Sequence, residues 1–227
     1  MQDEKGDLFL ELLGVFQRLS LLEDLILVGS WCHLFYRDYF QDPLAVDPIR
    51  TTDVDFLISS PNKGRPERDV PAALHELGFL TQHSFLSGWT KYVHKDLELE
   101  FLTPKRGPGE TQTFSIKPLK LEAHTIRFLD FLQDHTIPVT HAGFTVKVPE
   151  PAAYVLHKFL INPRRSEAKQ AKDMETITKL SAYMVKRESE QERFKVLLAA
   201  MPKGWRKTVL EVTKENAPWL HEILTPK

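Results

Sequence analysis

The segment TTDVDFLI, residues 51–58, carries Asp53 and Asp55 two positions apart. In an extended strand alternate side chains leave the same face, so these carboxylates stand side by side, roughly 6 to 7 Å apart along the strand axis. Val54, Phe56 and Ile58 take the other face. Two anions aimed together repel, and the arrangement holds only where solvent, basic side chains or a cation offset the repulsion. Mg²⁺ is the natural cation, because it is usually held by one or two carboxylates together with substrate phosphates. An exposed strand end whose aspartates merely solvate a loop has the same pattern, so D-x-D alone does not choose between the two.

Two further stretches bear on that choice. In LILVGSWCHLFY, residues 25–36, Leu25–Val28 is too short for a buried helix and reads as a strand, Gly29-Ser30 turns it, and Trp31–Phe40 fits a helix ended before Pro43. A turn of that kind leaves backbone N–H groups uncovered at a helix start. They and the Ser30 hydroxyl can hold phosphate oxygens, and a larger side chain at Gly29 would block the approach. A tight turn in which Ser30 only caps the helix is the plainer alternative. In KDLELEFLTP, Leu97, Leu99 and Phe101 alternate with Glu98 and Glu100, giving a strand with one apolar and one acidic face. Laid beside the first acidic strand, it adds one glutamate to Asp53 and Asp55. Three carboxylates around metal ions form the constellation for phosphoryl or nucleotidyl transfer.

The elements that must position these residues follow from periodicity. Leu8, Leu12, Val15, Phe16 and Leu19 recur at helical spacing and predict an amphipathic helix packed on a sheet. Residues 42–50, with Pro43 and Pro48, read as a loop. Val70–Leu77 has a helical pattern stopped by Gly78, and Phe79–Phe85, Thr90–His94 and Leu97–Leu102 read as three consecutive strands. The expected sheet is mixed. Residues after TPKRGPGE give no clear pattern until Phe144, Val146 and Val148 alternate beyond a turn at Gly143. From Ala152 to Ala217 the pattern is helical, interrupted at Asn162-Pro163, Pro202 and Gly204. The expectation is an α+β domain over 1–148 and a helical domain over 149–227, packed on it because no Gly/Ser-rich joint separates them.

Lys plus Arg number 30 against 31 for Asp plus Glu, so no global field draws the chain to nucleic acid or membrane. The single Cys32 excludes an internal disulfide, and MQDEKGDLFL lacks the basic start of a secretory signal. No apolar run approaches the roughly 20 residues that cross a bilayer. A cytoplasmic protein is expected. In the helical part Arg165, Lys169 and Lys172 recur at i, i+4, i+7 with Arg164 beside them, a face suited to phosphate or RNA, and Asp173 can orient one of these cations. A solvated face with a Lys169–Asp173 pair is the alternative. His157, Trp31, Phe35 and Tyr36 read as packing, Trp205 and Trp219 as helix contacts, and Cys32 has no partner that would make it a nucleophile.

LVGSWCHLFY, RTTDVDFLI and LELEFLTP together resemble the nucleotidyltransferase superfamily with the DNA polymerase beta type of fold. That superfamily is marked by a Gly-Ser or Gly-Gly turn opening a helix, a D-x-D or D-x-E pair on the following strand, and a third acid on a later strand. VPEPAAYVLHKFLINPRRSEAKQAKDMETI is similar to the downstream helical segment of bacterial nucleotidyltransferase-like proteins, including relatives of the toxins of abortive-infection systems. The resemblance spans Leu25 to Leu180. It implies that Gly29 and Ser30 bind the nucleotide phosphates, and that Asp53, Asp55 and Glu100 act in catalysis and hold Mg²⁺ or Mn²⁺, with Glu98 in reserve. It also implies that Lys158 reaches the phosphates and that Arg165 and Lys169 help bind the nucleotide. The implied reaction moves a nucleoside monophosphate from a triphosphate to an acceptor hydroxyl with pyrophosphate release. The acceptor is left open among a protein hydroxyl, an RNA 3′ end and a small molecule. The chain departs from the pattern in using Glu, longer by one methylene, where the third acid is most often Asp, and in inserting YRDYFQDPLAVDPIR before the acidic pair. A nucleotide-binding or regulatory protein on the same fold, without turnover and paired with a protein partner, is the alternative. A D-x-D glycosyltransferase ranks behind both.

Overall fold

The computed structural model describes residues 2–43, 51–59, 64–84, 88–105, 107 and 112–225. The expected loops around Pro48, Pro61 and Pro108 fall largely outside the described residues. The chain divides into two compact units, Met1–Tyr39 with Pro48–Pro149, and Phe40–Asp47 with Glu150–Lys227.

The first unit is a mixed sheet. Helix α1 (Gln2–Arg18) buries Leu8, Leu12, Val15 and Phe16, together with Phe9 and Leu13. Phe16 fixes what this helix covers: its ring meets Phe56 edge-on at 5.2 Å and Phe101 at 6.1 Å. Strand β1 (Leu25–Val28) is wholly buried and enters a tight turn at Gly29–Trp31, from which α2 (Cys32–Phe40) starts. Strand β2 (Asp53–Ile58) runs antiparallel to β1 and parallel to β5 (Glu98–Pro104). Between them come α3 (Val70–Glu76), whose N-terminus is capped by Asp69 accepting from the Ala72 N–H at 3.0 Å, and the hairpin of β3 (Leu80–His83) and β4 (Thr90–Val93). Gly78 ends the α3 segment at φ +87°, a conformation that suits glycine.

The stretch without a clear sequence pattern supplies β6 (Thr113–Ile116), β7 (Leu121–Ile126), α4 (Leu129–Asp134) and β8 (Thr136–His141). Strand β9 (Phe144–Pro149) follows the Ala142-Gly143 turn, where both residues have positive φ as a two-residue hairpin turn requires. The sheet runs β3-β4-β5-β2-β1-β9-β8, with β7 on β5 and β6 on β7, nine strands among the described residues. It is mixed, and the architecture is α+β.

The second unit is helical: α5 (Pro151–Ile161), α6 (Glu167–Met184), α7 (Glu188–Ala200), α8 (Lys203–Asn216) and α9 (Pro218–Leu224). Pro163 sits in the tight turn Asn162–Arg164, and Pro202 stands just ahead of α8. Gly204 lies inside α8 and interrupts nothing, and α9 extends the helical region past Ala217. Pro at the start of a helix lacks only an N–H that would be unpaired there anyway. No helix among the described residues is long and apolar enough to cross a membrane.

Phe16 has no exposed surface and bridges two strands of the sheet. Phe16→Ala is expected to lower the unfolding free energy by about 3–5 kcal/mol, the usual cost of emptying an aromatic core position. Urea denaturation should show a lower midpoint at unchanged slope.

Candidate functional site

The parallel register of β2 and β5 sets Asp53 opposite Glu98 and Asp55 opposite Glu100. Paired residues on neighbouring strands share a face, and strands lie about 4.8 Å apart. The structure therefore brings all four carboxylates to one face of the sheet. The alternate residues, Val54, Phe56, Ile58, Leu99 and Phe101, are buried on the other.

Beyond β2 lies β1, whose last residue, Val28, pairs with Asp55. Gly29 follows at φ +76°, and a Cβ placed on it would stand 2.9 Å from Asp55 Oδ2. Any other residue here would be strained in its backbone and would press on the carboxylate. The turn Gly29–Trp31 leads directly into α2, and Val28, extended before it, has no side chain able to cap it. Ser30 is half-buried on this turn. The residues that follow serve the core: Trp31 stacks on Phe9 at 4.3 Å, Cys32 Sγ–H donates to Leu27 O at 3.2 Å, Phe35 is buried, and Tyr36 OH donates to Pro149 O at 2.9 Å.

The carboxylates differ in surroundings. Asp53 is exposed and accepts from the Thr51 hydroxyl at 3.2 Å. Glu98 lies 3.3 Å from Lys91 Nζ. Glu100 is more enclosed than Glu98, its side chain 15% exposed against 39%, with Lys91 Nζ 2.7 Å from Oε1 and His124 Nδ1 3.3 Å from Oε2. Burial alone would push the Glu100 carboxyl up, but the contacts from His124 and Lys91 outweigh it and hold it below the usual glutamate value. Lys91 is raised in turn, chiefly by its contact with Glu100. Glu100 is therefore anionic at neutral pH. Sequence reasoning missed both partners. Lys91 had a signal, since the turn at residues 94–96 pairs Val93 with Glu98 and Tyr92 with Leu99, which sets Lys91 against Glu100. His124 had none, lying in a strand that the pattern did not reveal.

In the helical unit Lys158 Nζ and Arg165 Nε each lie 2.9 Å from Asp173, one on each carboxylate oxygen. Arg165 closes the turn at Asn162–Arg164 and precedes α6, so it does not share a helix face with Lys169 and Lys172. Lys169 is exposed, and the cations paired with Asp173 are Lys158 and Arg165 rather than Lys169. His157 is buried beside them. Loss of solvent, then the charges of Lys158 and Arg165, push it down to about 3, so it remains a neutral packing residue.

A family model described as nucleotidyltransferase matches residues 9–201. The chain belongs to the nucleotidyltransferase family. Among solved structures, an antigenic nucleotidyltransferase-like protein from Paracoccidioides brasiliensis is similar over 96% of this chain and 92% of its own, at 16% identity and TM-score 0.54. The antibiotic-resistance factor ANT(2'')-Ia is aligned over 99% of this chain and 90% of its own, at 11% identity and TM-score 0.46. At such identities the first likeness is one of fold. No curated protein matches the chain.

Within this family fold the acidic face offers hard oxygen donors of the kind that Mg²⁺ or Mn²⁺ takes. Asp53, Asp55 and Glu100 are donors of this chemical kind on one face of the sheet, and the missing Cβ at Gly29 leaves the Asp55 carboxylate room. Among the described residues no three acidic, histidine or cysteine side chains close around a common point, and the Glu100 oxygens face Lys91 and His124.

Two outcomes follow from this geometry. Gly29→Ala is expected to cost about 1–2 kcal/mol in urea denaturation from the left-handed backbone alone, and a crystal structure of the variant should show the Asp55 carboxylate displaced. For His157, the unfolded chain takes up a proton below the ordinary value of 6.5 while the folded chain does not until about 3. The unfolded state then binds more protons, so stability must fall as pH drops through 6.5, the contribution of this residue approaching about 1.4 kcal/mol per pH unit once the unfolded imidazole is fully charged. Denaturation at pH 7.0, 6.0 and 5.0 should show a loss that steepens towards that slope, roughly 0.7 kcal/mol over the first step and roughly 1.2 over the second, and His157→Leu should flatten it.

Proposed function

We propose that the chain is a metal-dependent nucleotidyltransferase that moves a nucleoside monophosphate from a nucleoside triphosphate to an acceptor hydroxyl, releasing pyrophosphate. The observation that carries this reading is the β2–β5 register, which aligns Asp53 with Glu98 and Asp55 with Glu100 beside the Gly29 turn. Asp53, Asp55 and Glu100 would hold Mg²⁺ or Mn²⁺, with Glu98 in reserve. The ion, when bound, supplies Lewis-acid activation of the attacking hydroxyl and neutralises charge on the triphosphate.

The chain's own groups do the rest. Backbone N–H groups at the start of the Gly29–Trp31 turn and the Ser30 hydroxyl meet phosphate oxygens, and glycine at position 29 lets the phosphates come close. The Asp55 carboxylate stands against that turn, which supports a phosphate cradle beside the acidic face. Glu100 is held anionic by Lys91 and His124 and serves as an oriented ligand rather than a proton acceptor. The acceptor is a hydroxyl of a protein, an RNA 3′ end or a small molecule.

A nucleotide-binding protein without turnover is the second reading. The observation favouring it is Lys91, an internal cation already seated on Glu100 and Glu98.

Incubation of the purified chain with Mg²⁺ or Mn²⁺ and each nucleoside triphosphate labelled on the α-phosphate separates the two. The expected result is label transferred to the chain or to a supplied acceptor with stoichiometric pyrophosphate. Asp53→Asn and Asp55→Asn should each reduce transfer roughly 100-fold or more, a loss of about 2.7 kcal/mol of transition-state stabilisation. Tight triphosphate binding with no pyrophosphate would overturn the transfer reading in favour of the second.

A further inference from the structure

His124 sits where the flank of β5 changes hands. Upstream, β4 pairs with Glu98 and Leu99, and downstream β7 pairs with Leu102, Thr103 and Pro104, with His124 opposite Leu102. The imidazole has no exposed surface. Its Nε2 accepts the Thr90 backbone N–H at 3.0 Å. A ring nitrogen that accepts an N–H carries no proton, so the proton of the neutral ring is on Nδ1. That atom, buried and otherwise without a hydrogen-bond partner, lies 3.3 Å from Glu100 Oε2, at ion-pair distance but off the line of a hydrogen bond. Trp89 stacks on the ring, centroids 4.6 Å apart and planes 26° apart, which fixes the imidazole plane. Lys91 Nζ stands 2.7 Å from the other oxygen, Oε1.

We infer that His124 is a positioning residue for Glu100, acting in the transfer reaction proposed above: the Thr90 amide sets its tautomer, Trp89 sets its plane, and Nδ1–H together with Lys91 fixes the glutamate carboxylate. Glutamate has one more rotatable bond than the aspartate usual at a third acidic position, and an untethered glutamate would sample several rotamers. The Lys91 ammonium on one oxygen and the buried Nδ1–H facing the other, which has no alternative acceptor, restrict that freedom during folding, before any substrate arrives. Each oxygen keeps a second lone pair for an ion.

The experiment has two arms. Nitrogen-15 NMR of the histidine-labelled chain, with the His124 signals assigned by their loss in His124→Phe, should show Nδ1 protonated and Nε2 unprotonated. A proton on Nε2 overturns the anchor whatever the chain catalyses. In the second arm, His124→Phe keeps an aromatic ring under Trp89 but removes the donor, and His124→Asn returns an N–H near the Nδ1 position. The Phe variant should lose about 10–100-fold in turnover and in Mn²⁺ affinity read by electron paramagnetic resonance, with KM for the triphosphate little changed, and the Asn variant should recover most of it. Equal losses in both variants, or none in either, overturn the positioning role. A wild-type chain that neither binds Mn²⁺ nor transfers label sinks the transfer reading and the catalytic consequence with it, while the tautomer measurement alone decides the anchor.

Discussion

The parallel pairing of β2 with β5 is the constraint on which the rest of the first unit depends. A one-residue slip of either strand would exchange its two faces and turn carboxylates towards Phe16. What prevents it is apolar burial: Val54, Phe56 and Ile58 on one strand and Leu99 and Phe101 on the other, held by the Phe16 ring between Phe56 and Phe101. Burying even one unpaired carboxylate there would cost several kcal/mol, more than most single core contacts contribute. The aromatic wedge of α1 thus helps to dictate where the acids stand, although it packs on the apolar residues that alternate with them.

Four acids on one face would repel, and the fold offsets this in graded fashion. Asp53, the most exposed, needs only water and the Thr51 hydroxyl. Glu100, enclosed between β2, β4 and β7, requires a full cation and a second donor. Lys91 serves Glu98 and Glu100 together, which makes it both a stabiliser of the empty acidic face and a competitor of any other cation drawn to it. A site of this kind exchanges one positive charge for another, which costs less than bringing a cation to bare, desolvated anions.

The elements legible in the sequence were those whose local pattern and tertiary role agree. Leu25–Val28 is a short β-prone run closed by Gly29, and the acidic pair in DVDFLI alternates with core residues. Strand β8 was hidden because Thr-Ile-Pro-Val-Thr-His contains Pro138. That residue is tolerated because β8 lies at the end of the sheet order, where a missing N–H need not break a second ladder. Strand β7, Leu-Glu-Ala-His-Thr-Ile, has weak β-formers at its centre and owes its conformation to pairing with β5 and β6. His124 therefore could not be seen from the sequence, since its neighbour Glu100 lies 24 positions earlier and on another strand. The grouping of Arg165 with Lys169 failed for a local reason: Pro163 forces a tight turn, and α6 begins only at Glu167.

The two units meet opposite versions of one electrostatic problem. In the sheet, acids gather around Lys91. In the helical unit, cations gather around Asp173, whose two oxygens take Lys158 and Arg165. In each cluster the residue of minority charge holds the others together, but the stakes differ with burial. Lys91 keeps 34% of its side chain in solvent, so water screens what it neutralises, whereas Asp173 keeps 11%. Without the Asp173 carboxylate, two cations would face each other in a poorly solvated space beside His157. That imidazole already cannot accept a proton there, because burial and the same two charges oppose it. The neutrality of His157 and the ion pairs of Asp173 thus involve the same two cations: Lys158 and Arg165 are met by a carboxylate, while His157, buried beside them, stays uncharged.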